Sequence, residues 1–397
     1  MTEPPNILFY CQHSLGMGHL VRSFALAGTL TESFDVTFLN GGPLPRGMVP
    51  PKGVNIINLP PLGTDGPDGM LISRDPIYSV EKALKIRRRM ILAMLEKKRP
   101  SILLIELFPF GRKKFREELI PLLEAAKNQT PAPPKVICSL RDILVDRGGE
   151  KQVKHDDRAR DLLHLYFDAV LVHTDPNFAR LEESFKPTYP MKIPVHYTGF
   201  VVPPEKQKVR GHIPHEIVVS AGGGLVGGPL FRAALDAQGE LWERDKMGMT
   251  LITGPFLPTS DAEVLHSQAR ERKGLEILRF VPNLCGIIGT AKVSVSQFGY
   301  NTAMDVLRSG IPSLVVPYEE GTQSEQWDRA KRLDKLGAIR LLRQKNLKGG
   351  ALAREIRTLL KFKPKPTQLN LSGARNTLRI LEEMVFTAPT YIHSSVP

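Results

Sequence analysis

Ser14-Leu15-Gly16-Met17-Gly18-His19 sets an imidazole directly after two glycines, between an apolar run and the start of a helical pattern. Gly16 and Gly18 let the backbone approach a ligand closely, and a helix N-terminus favours negative charge there. The same positive helix end disfavours imidazolium, which keeps His19 neutral near pH 7 and fit to act as a general base. A structural capping histidine suits the same residues. Val21 stands where the dinucleotide fingerprint GxGxxG needs its last glycine, so no nicotinamide site is expected.

A second constellation is Ala221-Gly222-Gly223-Gly224-Leu225-Val226-Gly227-Gly228, with five glycines in eight residues between a strand pattern and a helix pattern. Such a loop can wrap phosphate oxygens with main-chain donors, and the entropic cost of so many glycines argues against a mere flexible turn. No Gly-Lys-Ser/Thr follows, so it is not a P-loop.

The third runs from Gln297 to Ala338, QFGYNTAMDVLRSGIPSLVVPYEEGTQSEQWDRAKRLDKLGA. It supplies Gly299, Thr302, Asp305, Gly310, Pro312, Pro317, Glu325, Gln326, Ala330, Gly337 and Ala338 in that order. This ordered set resembles the donor-binding region of GT-B glycosyltransferases. It is similar in particular to the family containing the peptidoglycan enzyme that adds N-acetylglucosamine to lipid-linked muramyl-pentapeptide. The resemblance implies that Asp305 binds both ribose hydroxyls of a nucleotide. The family member named has Glu there, so the shorter Asp305 would draw the nucleoside closer. Glu325 and Gln326 match the pair that hydrogen-bonds the donor sugar, and a carboxylate beside an amide suits a polyol. Gly299 and Thr302 would lie near the diphosphate. Taken singly, Asp305 reads equally as an ordinary surface helix residue.

The resemblance reaches the other motifs. Gly16-Met17-Gly18-His19, with Arg22 after it, looks like the N-terminal loop of this superfamily, whose histidine is the proposed base. Gly222, Gly223 and Gly224 resemble its phosphate loop, although the usual following Ser or Thr is absent. Phe280 and Val281, before Pro282-Asn283, fall where the family's main chain reads the nucleobase, and Tyr197-Thr198-Gly199-Phe200 resembles the segment before the domain crossover.

Leu103–Arg116 and Val136–Asp142 follow strand ends, so Glu106, Arg141 and Asp142 are candidate acceptor-side residues. Apolar and basic residues mingle there, which suits a lipid phosphate. A purely structural ion pair such as Glu106 with Arg141 explains the same residues.

These residues need two open parallel sheets to hold them. Asn6–Tyr10, a helix over His19–Leu30 and Asp35–Leu39 read as strand, crossover helix and strand. Apolar runs recur at Ile102–Ile105, Val136–Cys138 and Ala169–Val172, while Pro- and Gly-rich residues 41–76 predict long loops. The pattern restarts with strands at Glu216–Ser220, Thr250–Thr253, Glu276–Arg279, Val293–Val295 and Ser313–Val316, and a helix over Leu230–Leu241. The expected fold class is α/β, with two doubly wound Rossmann-like domains facing across a cleft. Residues 1–203 form the acceptor-side domain, 204–215 the linker and 216–371 the donor-binding domain. A helix over 372–386 packs back toward the first domain, and 387–397 form a flexible tail.

With 397 residues, 42% of them hydrophobic, the chain can bury two cores. It lacks the roughly 18-residue apolar run of a membrane span. The opening MTEPPNILFYCQ does not read as a signal peptide. Three scattered cysteines without CxxC spacing suit a reducing compartment and no zinc site. A cytoplasmic location follows, with contact at the inner face of a membrane open. The net charge of +13 is spread over both halves, with clusters at Lys85–Arg89, Lys97–Arg99 and Arg112–Arg116. Solvated helix faces explain it, as would an anionic ligand or leaflet. Nucleic acid is not an expected partner.

The expected activity is transfer of a hexose or N-acetylhexosamine from a nucleotide diphosphate, UDP by resemblance, with inversion. The acceptor is a small molecule, a glycan or a lipid-linked group. No cofactor or metal is expected, because no metal-ligand spacing is evident. The alternatives are a nucleotide-sugar hydrolase, which the GxGH start also resembles in pseudaminic acid synthesis, and a non-enzymatic basic binding protein. A UDP-sugar epimerase shares the fold without a match to its motifs.

Overall fold

The computed structural model describes residues 4–13, 18–45, 47–64, 69–145, 148–203, 215–319 and 324–386. The stretch 204–214 and the tail 387–397, expected as linker and flexible end, lie outside the described residues.

The first half runs β1 (Asn6–Cys11), α1 (Gly18–Leu30), β2 (Asp35–Asn40), β3 (Asn55–Asn58), β4 (Leu62–Thr64), β5 (Leu71–Ser73), α2 (Val80–Lys98) and β6 (Ile102–Glu106). It continues with α3 (Arg116–Lys127), β7 (Lys135–Leu140), α4 (Gly149–Tyr166), β8 (Ala169–Val172), α5 (Leu181–Ser184) and β9 (Val195–Tyr197). Seven strands form one parallel sheet in the order β3-β2-β1-β6-β7-β8-β9, and β4 pairs antiparallel with β5. Residues 41–76 are therefore not all loop, since they hold an edge strand and a small hairpin. Their strands are short and β3 and β5 are only half-buried, so they lack the unbroken apolar run that marks an inner parallel strand.

The second half runs β10 (Ile217–Ser220), α6 (Gly228–Asp245), β11 (Met249–Ile252), α7 (Thr259–Ala269), β12 (Leu275–Leu278), α8 (Leu284–Thr290) and β13 (Val293–Ser296). Then come α9 (Tyr300–Ser309), β14 (Ser313–Val315), α10 (Glu325–Lys335), β15 (Arg340–Leu341), α11 (Gly349–Leu359) and α12 (Gly373–Phe386). Its six strands are also parallel, in the order β12-β11-β10-β13-β14-β15.

Period-two alternation sends the residues of β1 to two cores. Leu8 and Tyr10 pack with Ala83, Ile91 and Leu119, and Ile7, Phe9 and Cys11 pack with Leu20, Leu26 and Ala27. Leu378, Ile380 and Leu381 of α12 join the latter core, so the last helix lies on the first sheet. A further apolar cluster joins Ile143, Phe178 and Phe200 to Val218, Phe298, Tyr300 and Met304, and so ties the two halves together.

Each sheet has one place where successive crossovers go opposite ways, between β1 and β6 and between β10 and β13. Ligands of open α/β sheets bind outside the strand carboxyl ends at such points. His19 follows β1 and Glu106 ends β6, while Gly222–Gly224 follow β10 and Gln297–Thr302 follow β13.

Candidate active site

The two switch points open onto one cleft of about 1000 Å³ between the halves. Gly18 and His19 line it from the first half, and Asp305 and Gln326 from the second.

His19 sits in the first turn of α1, and its Nδ1 lies 2.5 Å from Glu106 Oε1. Glu106 is fully buried, and it also accepts from Arg22 Nη2 (2.5 Å) and Arg112 Nη2 (3.1 Å). Burial alone would raise the Glu106 carboxyl, but His19, Arg112 and Arg22 outweigh it and hold the group well below the usual carboxylate range. Burial pushes His19 down against the pull of Glu106. The imidazole is therefore neutral at pH 7. With its Nδ1–H donated to a carboxylate, the Nε2 lone pair is left as the proton acceptor.

Glu106 therefore acts from behind His19 and does not reach the acceptor side as expected, and the ion pair with Arg141 is not formed. Asp142 is also fully buried away from the cleft, where it accepts from Arg329 Nε (2.7 Å) and Nη2 (2.9 Å). Arg141 does line the cleft, but its Nη2 donates to Glu325 Oε1 (3.0 Å) of the second half. These three residues at strand ends thus have three separate sets of partners.

On the opposite wall the glycine loop is shaped by its contacts. Gly222 and Gly224 have φ of +60° and +91°, a region L side chains rarely adopt. A Cβ on Gly224 would stand 2.1 Å from the Thr253 carbonyl oxygen, and one on Gly222 would stand 3.2 Å from Thr302 Oγ1. The loop therefore touches the start of α9. Gly222 N–H donates to Ser220 Oγ (3.2 Å) and Gly224 N–H to the Ala221 carbonyl (3.1 Å). Gly223 N–H has no hydrogen bond among the described residues. Gly299 caps α9 without a side-chain bond, so the N–H groups of Tyr300, Asn301 and Thr302, unpaired among the described residues, suit an anion. Gln297 Nε2 ties this segment to the loop through the Val226 carbonyl (2.8 Å). Gly16 lies outside the described residues, while Gly18 is on the cleft.

Asp305 is one turn beyond Thr302 and half-buried, with no hydrogen bond among the described residues. Burial pushes its carboxyl up to about 7, opposed only by Arg308. A hydroxyl donating to Asp305 would favour its ionised form and so bring the carboxyl back down. Phe280 and Val281 also line the cleft.

Glu325 and Gln326 open α10. Gln326 Oε1 accepts from Phe298 N (3.1 Å) and Tyr318 N (3.2 Å). Two backbone donors fix which end of the amide is oxygen, so Nε2 remains to donate. Gln326 therefore offers a ligand its N–H donors but not its oxygen. Among the described residues no group of three His, Cys, Asp or Glu is placed to hold a metal ion, and no helix is long and apolar enough to cross a membrane.

Residues 218–381 match the glycosyltransferase family 28 C-terminal domain. Across the whole chain, a UDP-glucosyltransferase from Polygonum tinctorium capable of glucosylating indoxyl superposes with a TM-score of 0.59 at 15% identity, covering 97% of this chain and 95% of that one. Acinetobacter baumannii MurG superposes with a TM-score of 0.54 at 14% identity, covering 97% and 100%. The fold is GT-B. In sequence, this GT-B chain is 22% identical over 200 residues to the UDP-N-acetylglucosamine--N-acetylmuramyl-(pentapeptide) pyrophosphoryl-undecaprenol N-acetylglucosamine transferase of Latilactobacillus sakei. That match covers 47% of the chain and spans about half, 54%, of the relative.

The GT-B chain is joined across its cleft by residues that no motif marked. Tyr300 Oη donates to the His173 carbonyl (3.0 Å) and accepts from Val201 N (2.8 Å), and Asn301 Nδ2 donates to the Gly18 carbonyl (3.0 Å). Arg329 belongs to this group as the partner of Asp142. Tyr300 and Asn301 follow Gly299 directly, so their place at a helix start was readable, whereas their partners were not.

Proposed function

We propose that this protein is an inverting glycosyltransferase that moves a sugar from a nucleoside diphosphate, UDP, to an acceptor hydroxyl. One observation supports it above the others: His19 and Asp305 open onto one cleft from opposite halves, with a phosphate-suited loop and helix N-terminus beside them. Asp305 accepts from the ribose hydroxyls, Phe280 and Val281 flank the base, and Gly223 with the N–H groups of α9 faces the diphosphate. Glu325 and Gln326 hold the sugar.

In the reaction His19 Nε2 takes the acceptor hydroxyl proton while the oxygen attacks the anomeric carbon. The bond from that carbon to the diphosphate breaks, and its electron pair leaves with the phosphate oxygen. Attack from the face opposite the leaving group inverts the configuration. The imidazolium formed sits against Glu106, and the departing charge against the glycine loop and α9.

The acceptor wall mixes Phe24, Met48, Val49 and Pro50 with Arg112 and Lys113. It suits an amphipathic acceptor carrying an anion, in line with the pyrophosphoryl-undecaprenol substrate named for the relative. Such an acceptor would bring the protein to the inner face of a membrane.

Melting curves with UDP, TDP and GDP, each alone and as a sugar conjugate, test the reading. One of them should raise Tm at concentrations well above Kd. His19→Ala should retain that shift yet lose about 100-fold or more in transfer. Absence of a shift with every nucleotide would end the proposal.

A further inference from the structure

Tyr300 belongs to the second half by its main chain and reaches the base in the first half by its ring. It is the first residue of α9 and buried. The guanidinium of Arg22 lies over that ring, with Cζ 5.5 Å from the centroid, inside cation–π range. Burial pushes the Tyr300 phenol up, so the ring is uncharged and acts through its face. Arg22 stands one turn after His19 on α1, and the two converge on one atom, each 2.5 Å from Glu106 Oε1. Arg112 takes the other oxygen. A single hydrogen bond leaves a guanidinium free to swing, and the ring beneath it removes that freedom.

The groups around this carboxylate leave the arginines as the charges that act on it. Burial pushes His13 down to about 4 and His173 down to about 3, and it pushes Cys11 up to about 12 and Cys138 up as well, so all four are neutral at pH 7. The second cation on Tyr300, Arg329 with Cζ 5.9 Å from the centroid, is paired with Asp142.

We infer that Tyr300 is a positioning residue for the base: its ring holds Arg22 on the oxygen that Glu106 shares with His19, so the second half sets how strongly His19 takes a proton. This rests on His19 as the base and adds a residue from the opposite half that controls it. Two donors on one oxygen compete. With Arg22 in place, less of the Glu106 charge serves an imidazolium, and His19 stays neutral. When Arg22 swings away, Glu106 serves His19 more fully and the proton is held at higher pH. That sign is opposite to the loss of Glu106. The hydroxyl of Tyr300 makes a separate link, to the His173 carbonyl and Val201 N, and Tyr300→Phe removes that link while keeping the ring face.

The test follows protonation of the His19 ring by NMR of the histidine-labelled full chain, its signal assigned by its loss in His19→Ala. Spectra run down to the lowest pH at which every variant still melts cooperatively. Tyr300→Phe should titrate with the unmodified protein. Arg22→Met should raise the midpoint by about one pH unit or more. Pentafluorophenylalanine at position 300 keeps the ring's shape and reverses its quadrupole, so it should raise the midpoint by about half a unit or more, and add nothing in an Arg22→Met background. The acid limb of turnover should move up in the same variants.

An unmoved titration with pentafluorophenylalanine overturns the inference. So does a Tyr300→Phe protein that shifts equally, because the hydroxyl link is then the cause, and so does a full extra shift in the double variant. If His19→Ala keeps its transfer rate, the base reading falls and the inference with it, an outcome separate from an unmoved titration.

Discussion

A neutral imidazole is a useful base only if its surroundings welcome the charge it acquires. His19 has that arrangement, with a buried carboxylate at 2.5 Å that two arginines keep ionised. At saturating donor the pH–rate profile should therefore be flat from pH 8 down past 6.5, with its acid limb below the ordinary histidine value, because burial lowers His19 and the neutral form is the active one. Glu106→Gln should lower the plateau by about 100-fold and move the acid limb further down, since losing the negative neighbour makes the imidazole a weaker base. A limb that stays in place while the plateau is unchanged would remove Glu106 from the mechanism. Asp305 runs the other way, with its carboxyl raised to about 7. Nucleotide affinity should thus weaken as pH falls through 7, and Asp305→Asn should lose about ten- to a hundredfold together with that pH dependence. The sign for stability is opposite. Without ligand the ionised Asp305 is a burden above its unfolded value of about 3.9, fully developed by pH 7, so the Asn variant should melt higher at pH 8.

At the scale of elements, the strand-loop-helix rhythm was legible because inner parallel strands are unbroken apolar runs and the loops after them carry glycine. Ile102–Glu106 and Ile217–Ser220 are buried throughout, and both were readable. The edge strand β9, half-buried over three residues, left no such mark. The glycine loop was legible as a motif, but its conformation depends on residue 253, which no local pattern names. That dependence can be measured. Gly224→Ala would combine a φ of +91° with a Cβ 2.1 Å from the Thr253 oxygen, so it should lower stability by more than about 1 kcal/mol and weaken nucleotide binding with it. Gly239, inside α6 with open space around it, is the control. Gly239→Ala should instead raise stability by roughly 0.5–1 kcal/mol. Denaturant melts of the two variants read both signs.

At the scale of the whole molecule, a cleft enzyme works only if its halves meet at one angle. Here the halves are joined, besides the Tyr300 and Asn301 contacts, by a pair the sequence could not announce, since Asp142 and Arg329 lie 187 residues apart and a carboxylate and a guanidinium are common on any surface. Both are fully buried, and Arg329 Nη1 also donates to the Phe298 carbonyl (2.9 Å), on the same segment whose N–H is held by Gln326. The Asp142–Arg329 pair and Gln326 are therefore one connected structure through Phe298. Arg329→Met would leave a buried carboxylate uncompensated and should lower stability by about 3–5 kcal/mol. Asp142→Asn with Arg329→Met removes both charges, so the double variant should be more stable than the Arg329 single variant, with a coupling energy read from the cycle. The more telling readout is transfer. If the pair fixes only local stability, the double variant will transfer sugar at the unmodified rate. If it holds His19 at its working distance from the donor, turnover falls while nucleotide affinity, which belongs to the second half, changes little. The second result is the one expected, because a displacement of about 1 Å between reacting groups is enough for a hundredfold loss.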